Sequence, residues 1–111
     1  MRIFATSRPT AAATPDALMA EMEAEVEAGQ SFYADGLIVE AYMDPAYERT
    51  FMILEAESVA AAKAVFDTYP HVRAGLIAFE FTPLIGMPAV RRHHEAKGTA
   101  LPAWWPPESV S

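Results

Sequence analysis

"YPHVRAGLIAFEFTPL", residues 69–84, decides how this chain folds. Pro70 cannot sit inside the helical pattern that precedes it, because its ring removes the N–H a helix interior needs. His71 then falls in a loop, and residues 75–84 read as an apolar strand with Glu80 inside it. Upstream, Ser58 suits the N-cap of the helix that Pro70 ends, and Val59, Ala62, Phe66 and Tyr69 share one of its faces. Before that helix, LIVEAYM (37–43) and YERTFMILEA (47–56) flank Asp44-Pro45-Ala46, which predicts a hairpin.

The first half of the chain repeats the logic. RIFAT, residues 2–6, forms a short strand and residues 7–13 a loop. Thr14-Pro15-Asp16 then opens a helix: Thr as N-cap, Pro at the first helical position, Asp where the dipole favours an anion. Leu18, Met22, Val26 and Tyr33 recur near the helical period beside Met19, and Asp35-Gly36 suits the end. Gly29 inside that helix costs about 1 kcal/mol relative to Ala. The order is β-α-β-β-α-β, an α+β ferredoxin-like arrangement with a four-stranded antiparallel sheet.

Composition bounds the function. A chain of 111 residues makes one domain with a modest core. It is 52% hydrophobic and 21% charged, as a soluble globule is. No apolar run reaches the roughly 20 residues that span a bilayer. The opening MRIFATSRPT carries no long apolar stretch, so the expectation is a cytoplasmic protein without a signal peptide or membrane partner. Without Cys there is no disulfide, thiol nucleophile or thiolate-held metal. A net charge of −7 argues against a nucleic-acid partner, which needs clustered Lys and Arg. The acidic run Glu21 to Glu27 reads as a solvated helix face.

Split by face, the strands say more. Leu37, Val39 and Ala41 oppose Ile38, Glu40 and Tyr42; in the third strand Phe51/Ile53 oppose Met52/Leu54; in the fourth Ile77/Phe79/Phe81 oppose Leu76/Ala78/Glu80. A sheet with one wet face alternates cleanly, whereas here both faces are mostly apolar and two helices cover only one. A second copy of the chain is the economical cover, so a homodimer or higher even oligomer is expected.

A long first helix ending in "YADG" (33–36), the hairpin after it, and "TYPHVRAGLIAFEFTPL" (68–84) together resemble the dimeric α/β-barrel superfamily, and within it muconolactone isomerase-type proteins. The resemblance covers about residues 1–85. It implies two ferredoxin-like sheets packed face to face as a homodimer, forming a dimeric α/β barrel. The superfamily includes isomerases, monooxygenases, cyclases and proteins with no known activity.

Residues 86–111 form an extension of different character, and residues 83–111 hold five of the nine prolines. Pro88 to Lys97 suits a short helix stopped by Gly98. Trp104 and Trp105 are expected to dock on the domain, on the dimer partner or over a pocket mouth, because exposed tandem Trp is unfavourable in water.

Candidate site residues follow by type. His71 and Glu80 lie nine positions apart, roughly 30 Å in extended chain, so they are expected to act separately. Glu40 and Glu80 fall on opposite sheet edges, about 14 Å apart at three strand spacings. Across a dimer they would approach and raise one another's pKa, or each simply bonds to Tyr, Arg or water at a strand edge. Proton transfer on an enol or lactone needs a group titrating near neutrality and a donor for the oxyanion. His71 with a tyrosine hydroxyl, such as that of Tyr42, meets that need, although a loop His bonded to a backbone carbonyl is the plainer alternative. Glu25 flanks the apolar stripe of the first helix and reaches toward the space under it; with Tyr33, Trp104 and Trp105 it is a candidate substrate contact. Adjacent His93 and His94 diverge by 100° on a helix, so no metal is expected there. No cofactor motif or G-x-S-x-G elbow occurs. Two functions remain: a cofactor-free isomerase or cyclase moving protons on a small oxygenated metabolite, or a non-catalytic dimeric protein binding a small-molecule ligand in the same cavity. Six Met and twelve aromatic residues suit a greasy cavity under either.

Overall fold

The computed structural model describes residues 1–108, so the last three residues of the extension lie outside it. The elements run β1 (Arg2–Pro9), α1 (Pro15–Ala20), α2 (Met22–Ala34), β2 (Ile38–Met43), β3 (Thr50–Glu55), α3 (Val59–Phe66), α4 (Pro70–Arg73), β4 (Ile77–Leu84) and α5 (Pro88–Lys97). The four strands form one antiparallel sheet in the order β2-β3-β1-β4, the ferredoxin-like order. No helix among the described residues is long and apolar enough to cross a membrane.

Helices cover one face only. Ile3, Ala5, Leu54, Met52 and Ile38 from the sheet meet Ala62, Phe66 and Tyr69 from the helical layer, and this is the core. Phe66 organises it, stacked on Phe32 and edge-on to Tyr69, Phe79 and Phe81 with ring centroids 4.9–6.1 Å away. On the other face Phe4 stacks on Phe51, and the Arg49 guanidinium lies 5.0 Å over the Phe51 ring.

Four local expectations are corrected. β1 continues to Pro9 instead of ending at Thr6, because Ser7, Arg8 and Pro9 pair with Phe79, Ala78 and Ile77 of β4. β2 carries a register shift between Ile38 and Glu40, so Ile38 and Ala41 oppose the core residues Leu54 and Met52, while Glu40 and Tyr42 share the open face with Ile53 and Phe51. Strict alternation would have put Ile38 with Glu40 and Tyr42, and the bulge at Val39 breaks it.

The first helix is not continuous. Thr14 caps it as expected, its Oγ1 accepting from Ala17 N at 3.2 Å, but Glu21 (φ −116°, ψ 9°) ends α1 and starts α2. Finally, Pro70 does not hand over to a loop. It occupies the first position of a new helical turn, α4, where its missing N–H has no intrahelical role. Gly75, at φ 74°, closes that turn and leads into β4. His71 is therefore helical and only 2% exposed.

Candidate active site

Between α1, α2 and the core face of the sheet lies a cavity of about 580 Å³. Its floor is Met52, Ile77 and Phe79, its roof Leu18, Met22 and Val26, and the β2–β3 turn with Tyr47 and Glu48 stands at its mouth. The turn is held by Asp44, whose carboxylate accepts from the N–H groups of Glu48 (2.8 Å) and Arg49 (3.1 Å). Those bonds hold the Asp44 carboxyl below its usual range.

Into this apolar space project Glu25, His71 and Tyr69. The two helical interruptions build the cluster. Because α1 stops early, the Leu18 carbonyl belongs to a last turn whose acceptors lack intrahelical partners, and His71 Nε2 bonds it at 2.8 Å. Because Pro70 restarts a helix, the His71 N–H points away from its own chain and donates to Glu25 Oε1 at 2.9 Å. Glu25 Oε2 then stands 3.6 Å from His71 Nδ1.

This geometry determines where protons reside. A carbonyl only accepts, so His71 Nε2 carries a hydrogen whenever the ring is neutral. Nδ1 is then the ring's acceptor, and it stands 3.6 Å from Glu25 Oε2, longer than a hydrogen bond. Burial raises the Glu25 pKa above its usual value; the His71 N–H and the charge of its ring oppose that rise. The His71 ring is buried, and the Glu25 side chain retains 17% exposure, so Glu25 is the member of the pair that a ligand meets.

Tyr69 completes the cluster. Burial first, and the nearby Glu25 charge second, push its pKa up to about 12, so the phenol stays protonated at any ordinary pH. No other described residue bonds its hydroxyl, which lies over Gly29: a Cβ there would approach the oxygen to 3.3 Å. An O–H without a bonded partner among the described residues, on a side chain that lines the cavity, is a donor available to a ligand.

The other candidates lie elsewhere. Tyr42 donates to Glu40 at 2.7 Å on the open face, and Glu80 sits opposite Thr6 on that same face, so none of the three reaches the cavity. Tyr33 is exposed on α2 and does not line the cavity. Trp105 does dock, but within its own chain, against Gly86 and under the Arg91 guanidinium at 5.2 Å; Trp104 is 59% exposed, and its carbonyl accepts from Arg2. Of the residues named from the sequence, Glu25 and His71 come together at the cavity; Tyr69, which lines it beside them, belongs in the sequence pattern to the buried stripe of the second helix. Its place directly before Pro70-His71 was the available signal.

Two solved structures share this architecture. Muconolactone isomerase superposes with a TM-score of 0.64 over 80% of this chain and 93% of its own, at 15% identity. The chain has the muconolactone isomerase fold. A 5-chloro-2-hydroxyhydroquinone dehydrochlorinase from Burkholderia phenoliruptrix AC1100, solved with 2,5-dihydroxybenzoquinone, superposes at 0.59 over 76% of this chain and 95% of its own, at 19% identity. At these identities the likeness is one of fold alone. No protein-family model and no curated protein sequence matches the chain.

Proposed function

We propose that this chain is a cofactor-free enzyme that moves a proton within a small oxygenated ring compound, as an isomerase does. The observation that carries the proposal is the Glu25 carboxylate, held by the His71 N–H beside a ring of fixed tautomer, at an apolar cavity. Its volume falls in the range of about 300–1,000 Å³ typical of small-molecule sites. By name, the two proteins of the same fold are an isomerase and a dehydrochlorinase of small oxygenated compounds.

In this scheme a substrate C–H next to a carbonyl lies against Glu25. The carboxylate takes the proton, and the C–H electron pair moves into the ring so that the carbonyl oxygen becomes an enolate. Tyr69 donates its O–H to that oxygen as the charge develops. The His71 N–H, donating to Glu25 Oε1, holds the carboxyl in place, which makes His71 a positioning residue. Glu25 returns the proton to a different carbon, the carbonyl re-forms, and no atom is gained or lost. The same proposal has two copies meeting through their open sheet faces, where Phe4, Phe51 and Ile53 are half-buried in one chain.

The test is proton exchange. A panel of cyclic enones and butenolides is incubated with the protein in D₂O, and loss of the proton next to the carbonyl is followed by NMR. The expected result is exchange above buffer with at least one compound, abolished by Glu25→Gln. Binding without exchange across the panel would favour a non-catalytic binding protein and overturn the enzyme.

A further inference from the structure

Resting on that proposal, we infer that the cavity selects an uncharged ring, a neutral ketone, enone or lactone, and discriminates against the same ring bearing a carboxylate. The observation is the sign of the charges around the space. The ionisable acids that line it are Glu25, at its centre, and Glu48, at its mouth. Among the described residues, none that line it is Lys or Arg. Two arginines adjoin lining residues in sequence: Arg49 turns to the opposite face of the sheet, where it covers Phe51 and donates to the Thr6 hydroxyl and the Ser7 carbonyl, and Arg8, between Ser7 and Pro9 in β1, alternates onto that same face. The roof adds more of the same sign, since Glu21, Glu23 and Glu27 are exposed around the outside of α2.

Each part works against an anion. A carboxylate entering the cavity would leave water for a lining of Leu, Met, Val and Phe, where an unpaired charge is strongly disfavoured. It would also meet the Glu25 carboxylate in the deprotonated state that must take the substrate proton, and like charges in a partly dry site repel far more than in water. A neutral ring meets neither obstacle. Its carbonyl oxygen finds the free Tyr69 O–H, and its carbon skeleton finds Met22, Met52 and Phe79, with methionines able to adapt to an irregular outline.

The experiment compares a matched pair, a carboxymethyl-substituted butenolide as its free acid and as its methyl ester at pH 7.5. Binding is measured by calorimetry and turnover separately by deuterium exchange. Expected is at least tenfold tighter binding of the ester. Glu48→Arg, whose backbone N–H still serves Asp44, is expected to narrow that ratio at least threefold by placing a cation at the mouth. If the acid binds as tightly as the ester, or if Glu48→Arg leaves the ratio unchanged, the inference is overturned while exchange on the enone panel would keep the proton-transfer proposal standing. Preference for the ester with no exchange supports the charge selection and overturns catalysis instead. Failure of both ligands to bind overturns the inference, and the enone panel alone then decides the proton transfer.

Discussion

Gly86→Ala tests how the extension is held. A methyl on Gly86 would lie 2.1 Å from Trp105 Cζ2 and 2.3 Å from Cε2 and Cη2, which no rotation of a small side chain relieves. The indole must leave its place between Gly86 and Arg91, and it takes with it the support for the Arg91–Glu108 ion pair at 3.2 Å. Truncating a fully buried Trp costs about 3–5 kcal/mol. Trp105 is half-buried, so roughly half of that is expected, about 2 kcal/mol. The exposed ion pair adds little to the figure. In a domain this size 2 kcal/mol lowers Tm by roughly 8 °C. The chain has two Trp, both in the extension, so fluorescence excited selectively at tryptophan reports this segment. The assay is a urea melt at fixed protomer concentration with emission spectra, on Gly86→Ala, Trp105→Ala and the double variant. The double variant should cost no more than Trp105→Ala alone, because the added methyl then has nothing to strike. Additive losses, or an unshifted emission maximum in Gly86→Ala, would refute the docking.

Three further outcomes are expected. Glu25→Gln keeps the acceptor for the His71 N–H but removes the base, so exchange should fall by about 10²–10⁴-fold. The same variant reads out linkage: a carboxyl whose folded pKa is raised stabilises the fold fully below its ordinary 4.5, and that contribution is lost as pH rises through the folded value. Wild-type stability relative to Glu25→Gln should therefore decline from acid to neutral pH, and a parallel pair of curves would contradict the burial of Glu25. Tyr69→Phe should lower exchange by about 10²–10³-fold while leaving Tm unchanged or slightly raised, since the hydroxyl lacks a protein partner to lose; a drop of several degrees would mean the phenol is structural. Light scattering at micromolar concentration should give twice 12.1 kDa or a higher even multiple, and a well-folded monomer would sink the face-to-face assembly.

The order of elements was legible because each boundary carried its own chemistry: Thr14-Pro15, Ser58 and Pro70 mark helix starts and stops, and β-rich runs flank Asp44-Pro45. The cavity cluster was only half legible. Glu25 and His71 could be named by type, but their contact spans 46 positions and exists only because two helices are interrupted. One interruption, at Glu21, has neither Pro nor Gly to announce it. The other, at Pro70, reads equally well as the end of a helix or the start of one, and the second sense buries His71. Glu40 and Tyr42 drew attention as a carboxylate and a phenol in one strand, yet they satisfy each other across two residues. A bulge of one residue decided which face they share, and bulges leave little trace in an apolar strand.

Gly29 sets stability and chemistry in opposition at one position. In mid-α2 an alanine would favour the helix by about 1 kcal/mol. Its methyl would also press to 3.3 Å on the Tyr69 oxygen, a contact that a shift of the phenol by a few tenths of an ångström relieves. A selection for heat resistance alone would accept the alanine and tilt the donor off its aim. A selection for turnover would keep the weaker helix. Laboratory evolution under either pressure should thus diverge at residue 29 before it diverges at any residue that would touch the substrate.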